Sequence, residues 1–233
     1  MSAYLSTVAL VLALWGGSTW LSGNPRDAWL VVVAWTLSWP SAALDRATVT
    51  VHAVIVGLAA ALSSGLLAFT AEAWVGSPEP AALRAPALVA LAVLAFGLLV
   101  GRRGKDRRVP AAESLARLTR ALVFVAGAGA LVVAMMARWS AAPPDTAAIS
   151  SIRSVTLAAG AVLLAAAART SFGRELGWLA YPVLAVAGLK LIAEDLRVSS
   201  PAMLFLVLAV YGLSLILTAK LFGQRRPRPV VPS

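Results

Sequence analysis

Polar residues fall in this chain at intervals too long for a soluble helix and too irregular for a strand. Between them run apolar stretches of about 17–22 residues, each nearly the length that crosses about 30 Å of hydrocarbon as an α-helix. The pattern predicts eight spans, at about 4–22, 28–44, 50–71, 85–101, 121–137, 152–168, 177–194 and 201–221. Turn chemistry separates them: "GNPRD" divides the first two, "GSPEPAALRAP" the third and fourth, and "RWSAAPPDT" precedes the sixth. The second span holds Trp39-Pro40, and the sixth is short and begins beside Arg153. The alternating segments of a membrane barrel, about 10 residues each, are absent.

Composition agrees with this reading. Of 233 residues, 60% are hydrophobic and 13% charged, with a mean hydropathy of +0.85, against about 25% charged in soluble domains. The expected class is an all-α polytopic membrane protein. Residues 1–222 form its transmembrane helical domain, with halves at about 1–108 and 109–222, and 223–233 form a basic, disordered cytoplasmic tail. The N-terminal "MSAYLSTVALVLALWGG" lacks a basic leader and is read as a retained first span.

Charge supplies orientation. With eight spans and a cytoplasmic N-terminus, Arg46, Arg102, Arg103, Lys105, Arg107, Arg108, Arg117 and Arg120 lie inside. So do Arg169, Arg174, Lys220, Arg225, Arg226 and Arg228, making 14 of the 20 basic residues. The acids divide the other way, 4 inside and 6 outside. Without the sixth span, "GRRGKDRR" and "QRRPRP" would fall on opposite faces, against the positive-inside rule. Both termini are therefore expected in the cytoplasm, and the protein in a bacterial inner membrane. Trp20, Trp29, Trp74 and Trp139 are expected at the outer headgroup layer and Trp178 at the inner one, with Trp15 and Trp35 filling space between helices.

Two spans share a pattern. "APALVALAVLAFGLL" (85–99) and "SPAMLFLVLAVYGLS" (200–214) each have an early proline and, ten residues after it, an aromatic-Gly pair. The offset of 115 residues, 85 to 200, is half the chain and suggests a 4+4 parallel repeat.

Candidate chemistry is sparse. No cysteine is present, which excludes disulfides, thiolate metal sites and cysteine nucleophiles. His52 is the lone histidine, near Asp45 and Arg46 at the start of the third span. A single imidazole can ligate haem or chlorophyll, though a histidine at a span edge also suits the interface. No residue spacing indicates a metal, and no cofactor is otherwise expected. Every Asp and Glu falls in a loop or within about a turn of a span end, which argues against ion-coupled transport. Ser38, Ser63 and Ser64 are the mid-span hydroxyls, expected to bond to helix backbone. "GLLVG" (97–101), "AGAGA" (126–130), Gly16-Gly17 and Gly57 offer close helix packing.

Two charged clusters stand out. Arg102, Arg103, Lys105, Arg107 and Arg108 form a cytoplasmic loop leading into a helix that Pro110 and Glu113 would start. The loop is placed to touch anionic lipid and carries none of the aromatic interleaving that nucleic acid binding uses. Lys190, Glu194, Asp195 and Arg197 lie at the outer end of the seventh span. Lys190 and Glu194 are spaced i,i+4 and are read first as an interfacial pair with a snorkelling lysine. The alternative is a site for a lipid headgroup or a partner.

The block "ELGWLAYPVLAVAGLKLIAEDLRVSSPAMLFLVLAVYG" (175–212) resembles the ending of a group of uncharacterised bacterial multi-spanning membrane proteins. Tyr181-Pro182, Gly188-Leu189-Lys190, Glu194-Asp195-Leu196, Pro201 and Tyr211-Gly212 carry the resemblance, over about a sixth of the chain. That group has no established activity, so no catalytic residue follows. The expected function is non-catalytic: an accessory or scaffolding subunit packing against lipids and other integral membrane proteins, or itself, in a larger and for example energy-converting assembly. The alternatives are a transporter for a neutral or lipidic substrate and a pigment- or haem-contacting subunit using His52.

Overall fold

The computed structural model describes residues 12, 15–16, 29–30, 32–36, 47–75, 84–100, 111–139, 145–170 and 173–223. Regular structure among the described residues is helical. The chain divides into two compact units, Met1–Ala134 and Met135–Ser233.

In the first unit, α1 (Ala47–Ser63) and α2 (Leu66–Val75) occupy the sequence predicted as one span. They are bent by 64° at Ser64-Gly65. Gly65 has φ +76°, the left-handed conformation that ends helices and that a side chain disfavours. Its N–H reaches back to Leu62 O at 3.2 Å, and its own carbonyl starts α2 by accepting from Phe69 N–H at 2.9 Å. The expected serine bonds are present: Ser63 and Ser64 each donate to a helix carbonyl, of Ala60 and Ala61, at 3.3 Å. Ser38 lies outside the described residues.

α3 (Ala85–Val100) matches its predicted span, with Pro86 in the first turn, where a missing N–H is tolerated. α4 (Ala111–Trp139) fuses the expected cytoplasmic helix and the fifth span into one rod of 29 residues, about 43 Å long. Nothing in 111–120 breaks it, because "AAESLARLTR" is made of good helix formers.

The core of this unit is rich in alanine. Ala61, Ala73, Ala87, Ala90, Ala130 and Ala134 surround Leu66, Phe69, Leu91 and Leu94. Small side chains let backbones approach where lipid offers no hydrophobic drive between helices. Large side chains then cover glycines. A Cβ at Gly129 would lie 2.6 Å from the Trp74 ring, and one at Gly127 would lie 3.0 Å from Leu91. Trp74 Nε1 donates to Ala126 O at 3.0 Å, so this tryptophan, expected at the headgroup layer, joins α2 to α4. Trp35 packs on Phe96 with ring centroids 6.1 Å apart, whereas Trp15, also expected between helices, is 69% exposed.

In the second unit, α5 (Thr146–Thr170) packs against both α6 (Gly173–Lys190) and α7 (Pro201–Gly223). Asp145 starts α5 by accepting from Ala148 N–H at 2.7 Å. α6 passes directly into a π-helical segment, Leu191–Asp195, and one further turn, Leu196–Val198. Ser199 is extended, and Pro201 opens α7. A Cβ at Gly177 would meet the Phe222 ring at 2.9 Å, and Tyr181 stacks on that ring at 5.0 Å.

Four helical segments are long and apolar enough to cross a membrane: Glu113–Trp139, Thr146–Arg169, Gly177–Asp195 and Pro201–Phe222. The bent α1–α2 pair makes a fifth if counted as one span, and α3 is a shorter apolar helix. These are the features of an integral membrane protein. The first two predicted spans and the C-terminal tail lie almost wholly outside the described residues, although 29–30 and 32–36 are helical. The aromatic-Gly pairs of the suggested repeat have unlike surroundings. Gly97 is covered by Arg120, while a Cβ at Gly212 would meet nothing within 4 Å.

Candidate functional site

The charged cluster at the end of α6 is built from two helices. On α5, Ser150 and Ser154 are spaced i,i+4 and share a face. On α6, Lys190 begins a stretch where the helix widens to i→i+5 spacing. In such a turn the residue above Lys190 is Asp195 as well as Glu194. The expected i,i+4 pair is present, with Lys190 Nζ 3.4 Å from Glu194 Oε2, but Asp195 Oδ1 is nearer, at 3.1 Å.

Burial separates the two carboxylates. The Asp195 side chain is 0% exposed and that of Glu194 41%. Lys190, at 12%, does not reach for solvent. Its ammonium donates to Ser150 Oγ at 2.7 Å, Ser150 O at 3.1 Å and Ser154 Oγ at 3.1 Å. The hydroxyls of Ser150 and Ser154 donate in turn to Asp195, one to each carboxylate oxygen. Ser150 Oγ also lies 2.9 Å from Glu194 Oε1, and its single proton serves one acceptor at a time. Arg153, buried on α5, lies near enough to Glu194 to feel its charge.

This arrangement is closed. An ammonium has three protons, and here at least four oxygens compete for them. Asp195 has a partner on each oxygen. Both serine hydroxyls are engaged with the Asp195 carboxylate and the Lys190 ammonium. The network ties α5 to the end of α6. Lys190 turns inward here, toward the fully buried carboxylate that the π segment brings beneath it. Arg197 is exposed and makes none of these bonds.

Ser150 and Ser154 do not stand out in the sequence, and Arg153 stands there only as the edge of the sixth span. The signal available was the i,i+4 serine pair in "ISSIRS" just after the Asp145 cap. Three further charges belong to the first unit, near the start of α4. Glu113 is buried and bonds to Arg117, and Arg120 lies under α3 at Gly97.

His52 lies part-buried on α1. Among the described residues no group of three or more His, Asp and Glu side chains is placed to hold a metal. Arg102, Arg103, Lys105, Arg107 and Arg108 lie outside the described residues. Searches of protein families, of curated proteins and of solved structures found no match to this chain, so any functional reading rests on the geometry above.

Proposed function

We propose that this chain is a non-catalytic protein of the bacterial cytoplasmic membrane. It has eight spans with both termini inside, and it acts by packing against other integral membrane proteins as an accessory or scaffolding subunit. The observation that supports this is the saturation of the Lys190–Asp195 cluster. The Lys190 ammonium and both Asp195 oxygens are bonded within the chain, so the buried part of the cluster serves helix packing. Elsewhere in the same unit α7 presents large apolar side chains outward, Phe205, Leu206, Leu213 and Ile216 among them. Such surface is suited to lipid or to another helix.

Purification from the native membrane in mild detergent tests the proposal. A stoichiometric membrane partner, or a stable homo-oligomer, is expected; a monomer that always migrates alone refutes it. Topology is tested separately by cysteine labelling, which the cysteine-free background makes clean. Probes at Gly104 and Ser233 are expected to react from the same side.

A second reading, a transporter of a neutral or lipidic substrate, is favoured by the α1–α2 break. Helices interrupted within the membrane expose backbone groups that transporters use to line a path, and the 64° bend at Ser64-Gly65 divides an apolar stretch in a way that suits this reading. Uptake into reconstituted vesicles that is lost on altering Ser64 would place this reading first.

A further inference from the structure

The start of α4 holds more positive charge than the described residues around it neutralise. Glu113, Arg117 and Arg120 recur at spacings of four and three, which places them on one face of the helix. Glu113 is spent on Arg117, whose Nη2 it accepts from. Arg120 is 4% exposed, and its Nη2 has no hydrogen-bond acceptor; the buried Nε of Arg117 has none either. One carboxylate against two guanidiniums leaves a net charge of +1.

The Arg120 guanidinium also lies close against another helix. A Cβ built on Gly97 would lie 2.5 Å from its Nη1 and 2.9 Å from its Cζ, so the group rests against the α3 backbone where any other residue would displace it. A buried guanidinium with no acid paired to it among the described residues is strongly unfavourable, and charges retained in such places mark functional sites.

The missing group must be anionic, accept hydrogen bonds, and reach two guanidiniums offset by one turn. A planar carboxylate pairs with one fork. A tetrahedral phosphate directs oxygens at both, and a phosphodiester's single charge balances the excess. We propose that Arg117 and Arg120 bind a phosphate group against the α3 backbone at Gly97, supplied by a lipid headgroup or by a soluble phosphate. The site is independent of the accessory-subunit reading.

The test uses the full chain, lipid-depleted in an uncharged detergent and free of phosphate. Thermal unfolding is followed with inorganic phosphate, with dihexanoyl phosphatidylglycerol, and with dihexanoylglycerol, which lacks the phosphate. The wild type is expected to gain about 3 °C or more from a phosphate-bearing ligand and nothing from dihexanoylglycerol. R120Q is expected to lose that gain while unfolding, without ligand, no earlier than the wild type, since it no longer buries a lone charge. R169Q, altered at an exposed arginine on α5, is expected to keep the gain. G97A retains every charge yet displaces the guanidinium, and is expected to lose the gain as well. A response to the lipid alone identifies a headgroup site; a response to inorganic phosphate as well identifies a site for soluble phosphates. An unresponsive wild type, an equal response to dihexanoylglycerol, or a full response in R120Q overturns the proposal.

Discussion

Replacing Asp195 by asparagine keeps the side chain's shape and removes its charge. In the wild type this carboxylate, 0% exposed, accepts from Ser150 and Ser154 and lies 3.1 Å from Lys190 Nζ. In D195N the ammonium keeps Glu194, at 3.4 Å and 41% exposed, a partner partly screened by solvent. The new amide must also turn an NH2 group toward neighbours that are themselves donors. Removing one member of a buried ion pair costs about 3–5 kcal/mol, whereas cross-helix hydrogen bonds in membrane proteins average nearer 0.6 kcal/mol. With charge and two hydroxyl bonds lost together, the expected destabilisation is about 3 kcal/mol. E194Q, at the exposed carboxylate, is expected to lose less than about 1 kcal/mol. K190M/D195L removes both charges and is expected to recover most of the D195N loss, because two apolar side chains then replace a pair with a large desolvation penalty. SDS-driven unfolding in mixed micelles, followed by tryptophan fluorescence, measures all four proteins. If D195N loses less than E194Q, or the double variant is no better than D195N, the closed-lock account of this cluster is wrong.

Other positions give independent checks by the same unfolding assay. G188A would bring a Cβ within 2.5 Å of the Tyr211 hydroxyl and is expected to lose about 1–3 kcal/mol by overpacking. Adding Y211F should recover part of that loss, since the ring then ends one atom short of the clash. G65A forces a side chain into φ +76° and is expected to destabilise by about 1–2 kcal/mol. An unchanged midpoint would mean that the α1–α2 bend does not need that conformation. W74F removes the bond to Ala126 O while keeping an aromatic ring near Gly129, and a loss of about 1 kcal/mol is expected. An absorption spectrum of the pure protein tests His52 as a haem or pigment ligand, and a colourless sample from native membrane ends that reading.

Hydropathy alone carried the apolar, membrane-compatible character of several helices, and local signals carried the starts of α3 and α7. Apolar runs of membrane-crossing length demand internally bonded backbone, and Asp145, Pro86 and Pro201 act on the turn they begin. Those are local effects, legible from neighbours in sequence. Tertiary structure alone decided that Trp74 serves α4 and that Gly97 shelters Arg120, because these depend on which backbones approach. The same holds for Lys190. Its serines lie 40 and 36 positions earlier, and the choice of Asp195 over Glu194 turns on one extra residue in a helical turn. That widening has no marker in hydropathy, which reports how far a residue tends to lie from water and not which side chain it meets there.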